Sequence, residues 1–223
     1  MDGTEIEEIV SCKEISVSKL YTVPKRIFDI IVGLVGCILL IPLIIGIKIA
    51  NLINHDKAPI LFKQERIGRN GKPIYIYKFR SMVENADEIL FKMLEENEEM
   101  RLEYKRYKKL KNDPRITKVG KFIRDTSIDE FPQFINVLKG DMSLVGPRPY
   151  LYREKEDMGE YYNTVIKCKP GITGYWQVNG RSGTDFIKRL VLDEYYYNHR
   201  SLVLDIKIML KTFIKVFKKE GAN

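Results

Sequence analysis

The sequence predicts an α+β fold, mostly helical: one compact domain with a β-hairpin, amphipathic helices suited to a membrane interface, and a re-entrant membrane helix kinked at Pro42. Three observations predict it. Residues Ile27 to Leu52 are apolar except for Asp29, Lys48, Pro42 and a few glycines. The segment Arg69-Asn-Gly-Lys72 separates two runs rich in β-branched and aromatic residues. Helical periodicity recurs in three stretches beyond it. With 223 residues, the chain has room for one well-buried domain and an appendage at ~150 residues per domain.

Residues 1–23 carry five acidic residues and two lysines without sustained periodicity, and read as an N-terminal tail or a short surface helix. The membrane segment is assigned to residues 24–54. Its apolar stretch, the 26 residues from Ile27 to Leu52, would extend roughly 39 Å as a helix, against a bilayer core of about 30 Å. It is too long, and starts too far into the chain, for a cleaved signal peptide. Lys25 and Arg26 precede it, and Lys48, Lys57, Lys63 and Arg66 follow, so the positive-inside rule places both ends in the cytoplasm. A single straight span cannot satisfy both ends. Pro42, which removes a helical hydrogen bond and clashes with the preceding turn, is the expected point of return. A buried core helix and an ordinary kinked span are the competing readings.

Residues 55–223 form the expected domain. Ala58 to Phe62 and Ile74 to Phe79 are the expected strands, turned by Asn70-Gly71. Val83 to Lys111, acidic first and basic later, suits one long solvated helix aligned with its own dipole. Phe131, Phe134, Ile135 and Leu138 fall on one helical face, so a short helix is expected to begin near Ser127 or Asp129 and end before Gly140. From 201 to 219, Lys207, Lys211, Lys215 and Lys218 recur beside a stripe of Leu202, Ile206, Met209, Phe213 and Phe217. That pattern fits a basic helix on an anionic membrane surface or a core helix with a lysine-rich solvent face.

Composition narrows the chemistry. With 44% hydrophobic and 30% charged residues, the chain is neither disordered nor a polytopic membrane protein. Its 38 Lys and Arg outnumber 30 Asp and Glu, so an anionic partner is expected: nucleic acid, lipid head groups or nucleotide phosphates. Cys12, Cys37 and Cys168 lack any paired spacing, and His55 and His199 lie far apart, so neither a disulfide framework nor a zinc site is expected. A metal here would be held by carboxylates, which favours Mg²⁺. No dinucleotide, Walker, zinc-hydrolase or nucleophile-elbow motif is present, nor an Asp-x-Asp.

Arg124-Asp-Thr-Ser-Ile-Asp-Glu130 is the most informative stretch. Ser127-x-x-Glu130 matches a capping box, which would make the acids merely structural. Pro132 sits awkwardly for that reading, because a cap at Ser127 would want a backbone donor there. On the functional reading, Asp129 and Glu130 stand at a helix N-terminus near Arg124, which would lower their pKa values, keep Asp129 ionised as a nucleophile and welcome a phosphate. A carboxylate can attack phosphorus to form an acyl phosphate when cations screen the two anions. Gly146-Pro-Arg-Pro149 holds Arg148 between φ-restricted residues, ready for a phosphate. Gly171 to Arg181, with the only Trp, suits a base or sugar, or equally a strand and turn. Lys78-Phe-Arg80 adds two cations at the end of the hairpin.

From about Pro24 to Lys219 the chain resembles the bacterial sugar transferases of the monotopic phosphoglycosyl transferase family. The markers are Lys25-Arg-Ile-Phe-Asp29, Tyr77-Lys-Phe-Arg-Ser-Met82, Asp113-Pro-Arg-Ile-Thr117, Ser127-Ile-Asp-Glu130, Asn136-Val-Leu-Lys-Gly-Asp-Met-Ser143, Gly146-Pro-Arg-Pro149, Pro170-Gly-Ile-Thr-Gly174, Gln177-Val-Asn-Gly-Arg181 and Ser201-Leu-Val-Leu-Asp205. The resemblance implies transfer of a phosphosugar from a UDP-sugar to undecaprenyl phosphate with release of UMP, the first membrane step of a surface glycan. It further implies a ping-pong course in which Asp129 forms a covalent phosphosugar intermediate. Glu130 would assist with Mg²⁺, either carboxylate being its direct ligand. Arg124 and Arg148 match positions near the phosphate, Arg181 one tied to the nucleotide sugar, and Asp205 a further substrate-binding position. Lys78 and Arg80 join them on charge and resemblance together. The implied setting is the inner leaflet of the cytoplasmic membrane, with the catalytic domain in the cytoplasm and no nucleic-acid partner. The hinge departs from the usual Ser-Pro, reading Ile41-Pro42, so the bend rests on Pro42 and packing. Lacking the extra helices and accessory domain of some relatives, the chain is expected to be a minimal catalytic form. A conventional glycosyltransferase releasing UDP and a non-catalytic basic membrane-surface protein are the alternatives.

Overall fold

The computed structural model describes residues 18–180 and 184–218. It opens with one helix of 35 residues, α1 (Lys19–Ile53), so the helix begins within the stretch assigned to the tail. Ser18 caps it, its hydroxyl accepting the Leu20 N–H at 3.1 Å. Asp29, Gly33, Gly36, Leu40, Ile47 and Asn51 are buried at spacings of three, four and seven, one stripe along the helix. Val32 packs with Ile76, Val137 and Val145, while Leu40 and Ile47 pack with Phe79 and Ile123. On the outer side Ile31, Leu34, Ile38, Ile41, Ile45 and Leu52 are each more than half exposed. By length and composition α1 could cross a membrane. Pro24 and Pro42 both lie inside it, so Pro42 does not divide the segment into two helices as the expected fold-back suggests.

Of the charges read as a cytoplasmic flank, Lys25, Arg26 and Arg66 are bonded within the fold. Arg26 donates to the Val137 and Leu138 carbonyls at 2.6 and 2.8 Å, satisfying acceptors at the end of helix α5 (Gln133–Lys139). Asp29 Oδ1 accepts the Ser143 hydroxyl and the Leu144 N–H at 3.1 and 2.9 Å. The junction with α5 is close: a Cβ at Gly36 would lie 2.3 Å from Phe134 Cγ.

The hairpin forms, β1 (Leu61–Ile67) pairing antiparallel with β2 (Pro73–Phe79). Its first strand runs on well past Phe62. Asn70 and Gly71 take positive φ, 58° and 75°, but within a longer connection containing a 3-10 turn at Arg69–Gly71. The single long helix expected next is two, α2 (Ala86–Glu96) and α3 (Glu98–Tyr107). Asn97 makes the break, leaving the helical region and accepting the Met100 N–H at 3.0 Å on its side chain.

Helix α4 (Lys118–Asp125) leads to a 3-10 turn, Ile128–Glu130, and then to α5. Strand β3 (Ser143–Val145) pairs in parallel with β4 (Gly171–Thr173), bringing the loops that follow both strands to one edge. The pair is so close that a Cβ at Gly171 would meet Gly146 N at 2.1 Å. Around them lie α6 (Tyr162–Val165), α7 (Tyr175–Asn179), α8 (Phe186–His199) and α9 (Leu202–Phe217).

On α9 the two readings of the lysine stripe both need revision. Ile208 is buried and Leu204 packs on the core, while Val203, Ile206, Leu210 and Ile214 are exposed. Lys211 and Lys215 bond α7, reaching Asn179 Oδ1 at 2.9 Å and the Gln177 carbonyl at 3.2 Å.

Candidate active site

Ser127 takes φ 56°, ends the run of α4 and starts the turn that carries Asp129 and Glu130. Its side chain makes no cap bond, so the capping box suggested by Ser127-x-x-Glu130 does not form. Glu130 instead meets β2: its Oε1 accepts from Lys78 Nζ at 2.8 Å, and Asp129 Oδ2 lies 3.9 Å from the same nitrogen. Asn136 fixes this pairing. Fully buried on α5, it accepts the Tyr77 N–H at 3.1 Å and donates to the Tyr75 carbonyl at 2.7 Å, clamping α5 to the strand that holds Lys78. Pro132, at the N-cap of α5, starts that helix without needing a donor.

The two carboxylates differ. Asp129 is 9% exposed, and burial pushes its carboxyl up to about 6 against the pull of Lys78 and Arg124, with Glu130 adding to the rise. Burial also acts on Glu130, but Lys78, with Arg148 and Arg66 behind it, outweighs burial and holds that carboxyl below its ordinary value. The expectation that helix dipole and arginine would depress both is therefore corrected for Asp129. A three-residue 3-10 turn offers little dipole, and desolvation dominates.

Lys78 and Glu130 border an open cleft, lined also by Arg66, Gln133, Arg148 and Gln177. Arg66 is buried on β1, donating to the Pro149 carbonyl at 2.9 Å and to Gln64 Oε1 at 3.1 Å. Arg148 is held through its backbone, whose N–H donates to Asp193 Oδ2 at 3.2 Å; that oxygen also accepts the Tyr150 hydroxyl at 2.7 Å. The Arg148 guanidinium lies 6.0 Å from the Trp176 ring centroid. Among the described residues neither Arg66 nor Arg148 forms an ion pair. Gln133 Nε2, Gln177 Oε1 and Asp193 Oδ1 are buried without a partner there.

The other residues singled out from the sequence divide. Arg124 donates from Nε to Ser81 Oγ at 2.8 Å, and its charge acts on Asp129. Arg80 braces the connection after α1, bonding Asp56 Oδ1 and the Pro59 carbonyl, each at 2.7 Å, and the Met82 carbonyl at 3.0 Å. Asp205 belongs to another node, where Lys25 bonds its Oδ2 at 2.6 Å, Tyr21 the same oxygen at 3.0 Å, and Tyr196 its Oδ1 at 2.7 Å. Its side chain is thus engaged within the fold, away from the Asp129 turn. Arg181 lies outside the described residues. Arg66, Gln133 and Asp193 were not singled out. Arg66 was legible in part, because strand alternation and the register of β1 on β2 put it on the face that carries Lys78.

Asp129 and Glu130 offer the donor set Mg²⁺ takes, one or two carboxylates completed by water and phosphate oxygens. Among the described residues no group of three His, Cys, Asp or Glu could hold a metal, so this pair would be its protein ligands here.

A family model described as bacterial sugar transferase matches residues 20–219. An undecaprenyl-phosphate galactose phosphotransferase of Salmonella typhimurium is 44% identical over 198 residues, 89% of this chain and 41% of that protein. A UDP-glucose:undecaprenyl-phosphate glucose-1-phosphate transferase of Klebsiella pneumoniae is 41% identical over 208 residues, 89% of this chain and 41% of the relative. The exopolysaccharide production protein ExoY of Rhizobium meliloti is 36% identical over 202 residues, 89% of this chain and 87% of its own length. The chain thus spans about two fifths of the first two relatives.

Proposed function

The chain belongs to the bacterial sugar transferase family, and from that premise we propose that it is a phosphoglycosyl transferase of the cytoplasmic membrane. It moves a sugar 1-phosphate from a UDP-sugar to undecaprenyl phosphate and releases UMP, opening the synthesis of a surface polysaccharide. The observation that carries this reading is a buried carboxylate, Asp129, beside a cleft lined by Arg66, Lys78 and Arg148.

The reaction runs in two displacements at one phosphorus. Asp129 attacks the phosphorus that bears the sugar; the bond to the bridging oxygen breaks, and UMP departs with the electron pair. The acyl phosphate on Asp129 is then attacked by a phosphate oxygen of undecaprenyl phosphate, which takes the phosphosugar and frees the carboxylate. A carboxyl titrating at about 6 is ionised at neutral pH yet more basic than an ordinary aspartate, which favours attack. Lys78 keeps Glu130 ionised and lowers the repulsion between Asp129 and the incoming phosphate. Mg²⁺, held by Glu130 and Asp129, would supply further screening of the phosphoryl oxygens.

Helices α1 and α9 support the membrane placement. Their exposed apolar residues suit a bilayer. Tyr21 and Lys25 near one end of α1, and Ile47 toward the other, pack on the same domain, which favours both ends on one side, the cytoplasmic face.

Incubation of purified protein with Mg²⁺, undecaprenyl phosphate and a panel of UDP-sugars including UDP-galactose and UDP-glucose tests this. Lipid-dependent UMP release is expected and names the donor. UDP in its place would mean a conventional glycosyltransferase, and no nucleotide from any donor would sink the enzyme reading.

A further inference from the structure

The cleft contains a hydrogen-bond donor that the protein itself leaves unused. Gln133 is 2% exposed, yet its Nε2 has no acceptor among the described residues. A buried amide kept without a partner weakens the fold, since the same volume of hydrocarbon would sit there more favourably. Its position is firmly set. Gln133 opens α5, three residues after Glu130, and Asn136 clamps that helix to β2.

The cations around it outnumber the carboxylates that face the cleft, with Glu154 and Asp193 acting on them from behind. Arg66, Lys78 and Arg148 line the same cleft against one carboxylate, Glu130, and Lys78 is already paired with it. Arg66 and Arg148 make no ion pair among the described residues. Burial, with the charge of Arg148 behind it, pushes the Arg66 guanidinium down to about 9, a repulsion that an anion between the two would relieve.

Resting on the transferase reading, we infer that Gln133 Nε2 joins Arg66 and Arg148 in a seat for a phosphoryl oxyanion that is bound but not transferred. Two substrates offer that chemistry, the nucleotide phosphate that leaves as UMP and the phosphate of the incoming polyprenyl lipid. A neutral amide suits a seat that must hold and then release an anion, because it adds direction without a further full charge.

The test is Gln133→Leu in the full chain, with wild type alongside. Because no protein acceptor is lost, the melting temperature should stay level or rise. Calorimetric titration with UMP, uridine and inorganic phosphate should show UMP and phosphate binding weakened about tenfold or more while uridine is unaffected. In single turnover, slower formation of the phosphosugar enzyme assigns the seat to the nucleotide phosphate. Slower discharge by undecaprenyl phosphate assigns it to the lipid, and slowing of both makes it shared. Unchanged UMP and phosphate affinity with unchanged KM for both substrates would overturn the seat, as would a clear fall in melting temperature, which would make the amide structural. Failure of the transferase reading is separate, since it would appear in wild type as the wrong nucleotide or none.

Discussion

Lys25 and Lys78 each bond a carboxylate, at 2.6 Å to Asp205 and 2.8 Å to Glu130, and yet the two nodes are built to opposite purposes. Around Asp205 everything is matched. One oxygen takes Lys25 and Tyr21, the other takes Tyr196, and Lys25 spends a further hydrogen on the Val145 carbonyl at 2.9 Å. Around Asp129 little is matched: its one ion-pair contact among the described residues is 3.9 Å long, and the neighbouring cleft holds two arginines that form no ion pair among those residues and an amide without an acceptor. The saturated node ties α1 to α9 and β3. The unsaturated one keeps its capacity for something that arrives from outside.

The contrast is broken most directly by Asp129→Asn. Turnover should fall by roughly four orders of magnitude or more, with the melting temperature level or raised; UMP release and a thermal melt check both. Activity within tenfold of wild type would remove Asp129 as the nucleophile. Asp205→Ala should do the reverse. Stranding Lys25 in a buried site should cost about 3 kcal/mol, lowering the melting temperature by roughly 6–12 °C, while turnover per folded molecule at a permissive temperature stays near wild type. Loss of turnover without loss of stability would return Asp205 to the substrate.

Gly36→Ala sharpens the same division from the packing side. A methyl 2.3 Å from Phe134 Cγ overfills the junction between α1 and α5, at a cost of about 1–3 kcal/mol, and should reduce activity too because α5 is clamped to the strand of Lys78. Gly46→Ala, with nothing within 4 Å, is the control and should be neutral or slightly stabilising. The smallest effect is in pH. The folded Asp129 carboxyl, at about 6, lies above its unfolded value of about 3.9. The native state therefore binds more protons between the two, and this group's contribution to stability falls as pH rises from about 4 to about 6 and is flat above. Activity runs the other way, kcat/KM climbing to a plateau above about 6. In Asp129→Asn the stability slope should flatten by this one group.

The elements legible in the sequence were those with local signatures. Asn70-Gly71 between β-rich runs marked the hairpin, and the apolar run marked α1. The Asp129-Glu130 pair with Arg124, Lys78 and Arg148 marked the site region. What escaped depended on distant partners. Strands β3 and β4 have three residues each, too few to show a period, and are joined only by tertiary pairing. Asn97 reads as a tolerable helix residue until its side chain captures a backbone N–H. Ser127-x-x-Glu130 has the form of a capping box, but Lys78, on a strand fixed by Asn136, takes the glutamate instead. Asp205 and Asp129 carry the same carboxylate, and only their surroundings separate a saturated group from an open one.

The close contact of Gly36 with Phe134 also sets a height. Phe134 follows Gln133 in α5, and that helix leads directly from the turn of Asp129, so only Phe131 and Pro132 separate that turn from the helix packed on α1. Any bilayer that takes up the outer face of α1 therefore fixes the altitude of Asp129 above the lipid phosphates. How deeply that face sinks then sets the height of the carboxylate, so polar substitutions at Ile31, Leu34 and Ile38, all exposed on it, would lift Asp129 away from the lipid phosphates.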